Sequence, residues 1–261
     1  MKNLIKKLII RLIPSFGPQS STAEQRRLGI CIQERLPVDA PLVALTFDDG
    51  PSDAVNKKYL ESIQATEVYD PQCTRRCLNL LDKYNSKATF FVCGEHISDA
   101  GVQTILDIFQ EKHELGVHCW KHGKSVNLIP QPELVNELMR TKRLIKQLTG
   151  TSPTCMRPPR GETDSVTSQL IFSHTGLRTI LWQETAFDWL FYTPEQSVAC
   201  ILKTVQPGSI ILLHDIYRYT PDTVELLLHN LHGLGLRSTT VSDLIQHSGC
   251  KDNYMSIPTR D

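Results

Sequence analysis

The 261-residue sequence has no surplus of charge of either sign: lysine and arginine together number 28, aspartate and glutamate 28. A balanced chain has no field to gather nucleic acid or an acidic membrane. Aromatic residues make up only 7%, and basic and aromatic residues do not interleave, which argues against nucleic-acid binding. No apolar run is long enough to span a bilayer. There is no internal repeat and no glycine-rich phosphate loop. The eight cysteines (Cys31, Cys73, Cys77, Cys93, Cys119, Cys155, Cys200 and Cys250) are scattered. In a chain of this size that pattern reads as reduced, buried thiols rather than a disulfide framework. Cys73 and Cys77 make half of a metal site at best, with no second pair to complete it.

No clear cleavable secretion signal is expected at the N-terminus either. In MKNLIKKLIIRLIPSFG, Arg11 interrupts the apolar core, and no small-x-small cleavage pattern follows. Two readings stand for residues 1–16: a basic amphipathic helix lying on a membrane surface, or a helix packed on the domain or frayed. The expected location is the cytoplasm or its membrane face.

What is present is a regular alternation of strand and helix. At 40% hydrophobic and 21% charged, the chain suits one large α/β domain. Residues 18–40 read as a linker with a short helix over 23–29. Strands are expected over 43–47, 87–93, 115–118, 154–157, 178–182, 209–214 and 237–241. Helices are expected over 78–84, 102–112, 132–148, 165–174, 194–204 and 221–232, and a short one ends near 246. The polar stretch 52–69 has no clean period and reads as a long loop or irregular helix. The tail from 249 reads as disordered. Runs such as Ile210-Ile211-Leu212-Leu213 are continuously apolar, as parallel strands buried on both faces should be. The expected fold is α/β: a distorted (β/α) barrel of about seven parallel strands, or a doubly wound sheet. Both place the active site at the strand carboxyl ends.

Five successive strand ends carry ionisable groups: Asp48 and Asp49, then His118 and His122, then Arg157, then Asp188, then His214. In a barrel they converge on one mouth. His118 and His122 are four apart, so their rings can point the same way, and with one carboxylate they form a facial metal site. A dication there would polarise a carbonyl and acidify water. The second carboxylate is suited to take the water's proton, with Arg157 holding it ionised. His214 is suited to protonate the leaving group, with Asp188 orienting its ring. This apparatus fits metal-assisted hydrolysis of an amide or ester.

These residues form an ordered set: Thr-Phe-Asp-Asp-Gly at 46–50, His-x-x-x-His at 118–122, Arg-Pro-Pro-x-Gly at 157–161, Asp-Trp at 188–189 and Leu-x-His at 212–214. The chain resembles the polysaccharide deacetylase (NodB-homology) family, carbohydrate esterase family four, over residues 41–248. That leaves residues 1–40 as an N-terminal helix and linker and 249–261 as a tail. The resemblance implies a distorted barrel and metal-dependent removal of acetyl groups from an N-acetylated sugar, in chitin, peptidoglycan or a related glycan. It implies Asp48 as general base and Asp49, His118 and His122 as ligands of a divalent metal, usually zinc, with cobalt or nickel also suited. It further implies Arg157 as the partner of Asp48, His214 as general acid, and Asp188 as the group that tunes it. The backbone N–H of Arg160 would bind the oxyanion. Trp189 would line the acetyl pocket, with Leu212 beside the acid. Trp120 is expected as a wall of the site, and Trp182 as buried.

Three features depart from the family pattern. Position 160 is commonly Tyr and here is Arg, which suggests a substrate-binding contact with an anionic group. Position 119 is commonly Ser or Thr and here is Cys, best read as a small filler. The 52–69 stretch is longer than usual and directly follows Asp49, so it is expected to shape the cleft. Two alternatives remain: a deacylase or deformylase acting on a lipid-linked amino sugar, and a barrel that binds glycan without cleaving it. The complete set of base, ligands, Arg and acid argues against the second.

Overall fold

A computed structural model of the chain describes residues 30–190 and 192–248. The expectations for residues 1–29 (the basic helix, the membrane contact and the short helix over 23–29), the tail from 249 and Cys250 lie outside the described residues. Among the described residues, nine strands form one sheet in which every ladder between strands is parallel. They are β1 (Cys31–Ile32), β2 (Leu42–Asp48), β3 (Thr89–Val92), β4 (Glu114–Val117), β5 (Cys155–Met156), β6 (Arg178–Ile180), β7 (Glu184–Thr185), β8 (Ile210–His214) and β9 (Arg237–Thr239). Eight follow the order β1-β6-β5-β4-β3-β2-β8-β7, and β9 pairs with the start of β2. All seven expected strands are present, and β1 and β7 join them. Each of these two additions is two residues long, too short to leave a period in the sequence.

The path returns nearly to its own start, because β6 and β7 belong to one stretch of chain. Thr179 and Leu181 donate to the carbonyls of Ile30 and Ile32 beside β1, whereas Gln183 donates to the carbonyl of Ile210 in β8. Between 181 and 183 the chain changes partner and bends, so one stretch of chain joins the two ends of the strand path. The region expected as a linker takes part in this. Residues 30–32 extend the sheet, Leu36 N–H donates to Gly208 O, and Arg35 Nη2 pairs with Glu184 Oε1 at 3.1 Å. Residues 30–36 are therefore part of the domain.

Strand faces alternate, as the pleat requires. Val43, Leu45 and Phe47 of β2 point outward into the main core with Phe90, Ile211 and Leu213, under the helices. Whereas α1 (Lys57–Ser62) packs in a separate third core, the covering helices include α2 (Cys73–Lys83), α3 (Asp99–Gln110), α4 (Gln131–Thr149), α5 (Ser165–Thr175), α6 (Pro194–Leu202) and α7 (Thr220–Gly233). Ala44, Phe91, Ile180 and Ile210 point inward, where α8 (Val241–His247) adds Val241 and Leu244 to a second core. Both faces are buried, which is why these strands read as unbroken apolar runs. Among the described residues, no helix is long and apolar enough to cross a membrane. Of the described cysteines, all but the half-buried Cys200 are buried and none is disulfide-bonded.

Arg157 is a charged side chain inside the barrel. It has no exposed surface and is the largest fully buried side chain. Its Nε donates to Ile180 O at 3.1 Å and its Nη2 to Leu181 O at 3.4 Å, satisfying carbonyls at the bend between β6 and β7. Its Nη1 donates to Thr46 Oγ1 at 2.7 Å and Asp48 Oδ1 at 2.8 Å. The guanidinium lies 4.3 Å from the centre of the Phe91 ring and 5.4 Å from that of Trp182. Trp182 is half-buried, a correction to its expected burial: its ring packs at the edge of the second core, over Gly161 and this cation. Removing one member of a buried ion pair leaves the other charge uncompensated, at a cost of about 3–5 kcal/mol. Arg157→Met should lower the free energy of urea unfolding by about that amount. A loss of about 1 kcal/mol or less, the size of a surface pair, would contradict this account.

Candidate active site

Five segments leave the strand carboxyl ends at the same mouth. Asp48 is the last residue of β2 and pairs in register with His214, the last residue of β8. Asp48 is buried, with Oδ1 held by Arg157. The next residue, Asp49, turns the opposite way through a left-handed backbone, φ 79°. Gly50 follows because no side chain fits there: a Cβ would come within 2.4 Å of the Asp215 carboxylate.

Asp49 faces two imidazoles. His118 Nε2 lies 3.4 Å from its Oδ1, and His122 Nε2 lies 3.9 Å away. Ligand atoms from all three residues fall within 4.8 Å of one another. Asp49 Oδ1 is buried and has no hydrogen-bond partner. These separations exceed those of charge-assisted hydrogen bonds, but they suit a shared cation. Two donors, each roughly 2.1 Å from a tetrahedral ion, stand roughly 3.4 Å apart. His118 Nδ1 faces the Arg157 carbonyl at 2.8 Å and so carries its hydrogen, leaving Nε2 turned to Asp49 as a donor atom. The orphaned carboxylate oxygen and this tautomer both fit a divalent metal.

Electrostatics agree with this arrangement. Burial alone would raise the Asp49 carboxyl, but the charges of His122, His118 and His214 hold it well below the usual carboxylate range. Burial dominates at His122 and lowers it to about 4, so that ring is neutral at pH 7. At His118, burial is outweighed by Asp48 and Asp49, which raise it. A bound cation would replace the proton that this attraction favours.

On the other side of the mouth, His214 Nδ1 meets Asp188 Oδ1 at 2.8 Å, and the His214 N–H donates to Asp188 Oδ2 at 2.7 Å. Burial would lower the His214 pKa, but Asp188 reverses this and carries it up to about 10. Trp189 packs its ring edge-on to His214, with centroids 5.4 Å apart. Leu212, two residues before His214, is buried and has the same strand parity. Arg160 is exposed on the loop after β5 with φ 60°, and its charge reaches His122. Trp120 is placed differently. Its ring stacks under the Arg140 guanidinium at 3.4 Å and lines a cavity of about 550 Å³ against α4, with Glu133, Asn136 and Glu137. Cys119 is buried in the main core, as a filler would be, and its backbone is left-handed at φ 59°.

Two residues here escaped the sequence reading. His96 Nδ1 donates to the Asp49 carbonyl at 2.8 Å and pins the turn that aims this carboxylate. It follows β3 in Gly94-Glu95-His96, a strand end that was open to the same inspection as the others. Tyr59 comes from the 52–69 stretch. It is buried, with its ring 5.5 Å from that of His122 and 5.2 Å from that of His96.

Comparison with known proteins gives a consistent result. A family model described as polysaccharide deacetylase matches residues 35–180. The peptidoglycan-N-acetylglucosamine deacetylase PgdA of Listeria monocytogenes is 30% identical over 203 residues, covering 77% of this chain and 38% of that relative. The chain thus spans well under half of that protein's length. Among solved structures, the peptidoglycan deacetylase PdaC of Bacillus subtilis superposes with a TM-score of 0.67 at 28% identity, over 80% of this chain and 93% of the other. A family 4 acetyl xylan esterase of Clostridium thermocellum, solved with a cobalt ion, gives a TM-score of 0.66 at 32% identity, over 78% and 90% of the two chains.

Proposed function

The chain belongs to the polysaccharide deacetylase family, and from that premise we propose that it is a metal-dependent hydrolase that removes N-linked acetyl groups from an N-acetylated glycan. The observation that carries this reading is the Asp49–His118–His122 cluster flanked by two separately maintained pairs, Asp48–Arg157 and His214–Asp188.

Asp49, His118 and His122 would hold the ion, zinc being our first choice and cobalt or nickel suiting the same donors. When bound, such an ion polarises the amide carbonyl and lowers the pKa of water toward neutrality. Asp48, held in place by Arg157, takes a proton from the attacking water. The resulting hydroxide adds to the acetyl carbon while the N–H of Arg160 donates to the carbonyl oxygen as charge develops there. His214, kept protonated by Asp188, gives its proton to the nitrogen as the C–N bond breaks, releasing acetate and a free amine. Trp189 and Leu212 would enclose the methyl group, and the Arg160 side chain would meet an anionic group on the glycan. Trp120 belongs on this reading to a more distant part of the cleft.

Purified, metal-loaded protein should release acetate in a screen of chitooligosaccharides, peptidoglycan fragments and lipid-linked N-acetylhexosamines. The last group is included for the basic residues 1–16. Release from none of them, in a sample shown to hold metal, would refute the reading. Asp48→Asn and Asp49→Asn should each reduce the rate by at least about 100-fold, but calorimetric titration should find weakened metal binding only for Asp49→Asn.

The acid's role has a pH signature. The His214 pKa is raised in the fold, so the proton it donates is present at neutral pH and is lost as pH rises through about 10. Asp188→Asn removes the charge that raises this pKa and leaves burial in control, so the alkaline limb of kcat should move to lower pH. An unmoved limb would remove His214 from the general-acid role.

A further inference from the structure

The two imidazoles of the candidate metal cluster are held in different ways. His118 has a hydrogen bond to fix its ring, from Nδ1 to the Arg157 carbonyl at 2.8 Å. His122 sits on the loop after β4, and among the described residues no backbone carbonyl accepts from its ring. Its ring contacts among the described residues are with His118, at a centroid separation of 5.3 Å, and with Tyr59, at 5.5 Å and an interplanar angle of 56°. Metal-bound histidines generally need an outer partner to fix ring orientation. For His122, the group in that position is an aromatic face.

Tyr59 is itself firmly placed. Asn56 caps α1 by accepting from the Tyr59 N–H at 2.8 Å, and the side chain is only 5% exposed. It belongs to a third core, separate from the two in the barrel, with Leu60, Ala65, Ile216 and Tyr217. The 52–69 segment that carries it is tied at both ends. Ser52 N–H donates to Thr74 Oγ1 at 2.9 Å, Asp70 N–H to Ile216 O at 3.0 Å, and Arg218 N–H to Val68 O at 2.8 Å. The far side of Tyr59 rests against His96, the residue that pins the Asp49 carbonyl.

From this arrangement we infer that Tyr59 is a positioning residue for the metal cluster: its ring, presented by the 52–69 segment, sets the orientation of the His122 imidazole. The inference rests on the metal-site reading above. It assigns the extended segment work inside the site, beyond shaping the outer cleft. The ring contact bears on His122, and the Tyr59 hydroxyl also hydrogen-bonds the Asp49 carboxylate, so a phenylalanine keeps the ring contact alone and an aliphatic side chain keeps neither.

The test is titration of the full-length, metal-free protein with cobalt(II), followed by the visible absorption of the bound ion and by calorimetry. Tyr59→Phe should keep the natural spectrum, because it keeps the ring against His122, and should lose less affinity than Tyr59→Ala. Tyr59→Ala should bind roughly 10–100-fold more weakly, with an altered band. Tyr59→Leu retains apolar bulk for the third core but no ring, and should behave like Tyr59→Ala while keeping the thermal melting profile of the natural protein. Natural affinity and an unchanged spectrum in Tyr59→Leu would overturn the inference and leave the metal site standing. Failure of the natural protein to bind cobalt, or equal binding by His122→Ala, would overturn the metal-site reading and this inference with it.

Discussion

The rest of the structure depends on a cation buried in the middle of a barrel. Arg157 has five N–H donors and no water to give them to, so every neighbour must be arranged around it. The neighbours supplied are the carbonyls where one strand changes partner, a threonine hydroxyl, the Asp48 carboxylate and two aromatic rings. The ion that would destabilise an apolar core thus joins the seam of the barrel to its mouth. It also explains why Asp48 and Asp49, adjacent in sequence, differ in use. One carboxylate is bound to a fixed guanidinium, and the other has an oxygen left bare. The backbone reversal at Asp49 separates them.

Much of this was legible in the sequence because the signals were strong where burial is two-sided. The apolar strands at 43–47 and 209–214 were recognisable, and their polar ends stood out because nothing in an apolar run accounts for Asp-Asp or His-Asp. The site was legible for the same reason, since each motif follows a strand. What stayed hidden had a physical cause in each case. The strands β1 and β7 are two residues long and depend on register with β6 and β8, which no local period records. Trp120 looked like a site residue from its neighbours His118 and His122, yet a left-handed residue just before it turns its ring toward α4. Trp182 packs at the edge of the second core and also lies over a cation, so its burial is partial. Tyr59 lies in a segment without periodicity, and its proximity to His122 is created entirely by tertiary packing of α1.

The electrostatic pattern of the mouth is a separation of roles by environment. Imidazoles stand on both sides of Asp49, and the structure treats them oppositely. His122 is pushed toward neutrality by burial, whereas His214 is pushed toward the cation by a buried carboxylate. Pairs of like groups driven apart in this way are the usual mark of a division between binding and proton transfer.

Asp49, Cys119, Arg160 and Phe187 share a property. All four are non-glycine residues with positive φ, and each lies in a loop that follows a different strand of the mouth. A backbone of that kind costs on the order of 1–3 kcal/mol per residue and persists only where its surroundings overdetermine it. The mouth is thus a reservoir of conformational strain sustained by the tightly packed barrel beneath. Its consequence is evolutionary: substitutions that relax these loops would make a sturdier but duller protein, and lineages selected for heat resistance would be expected to reinforce the barrel wall while leaving the four turns strained.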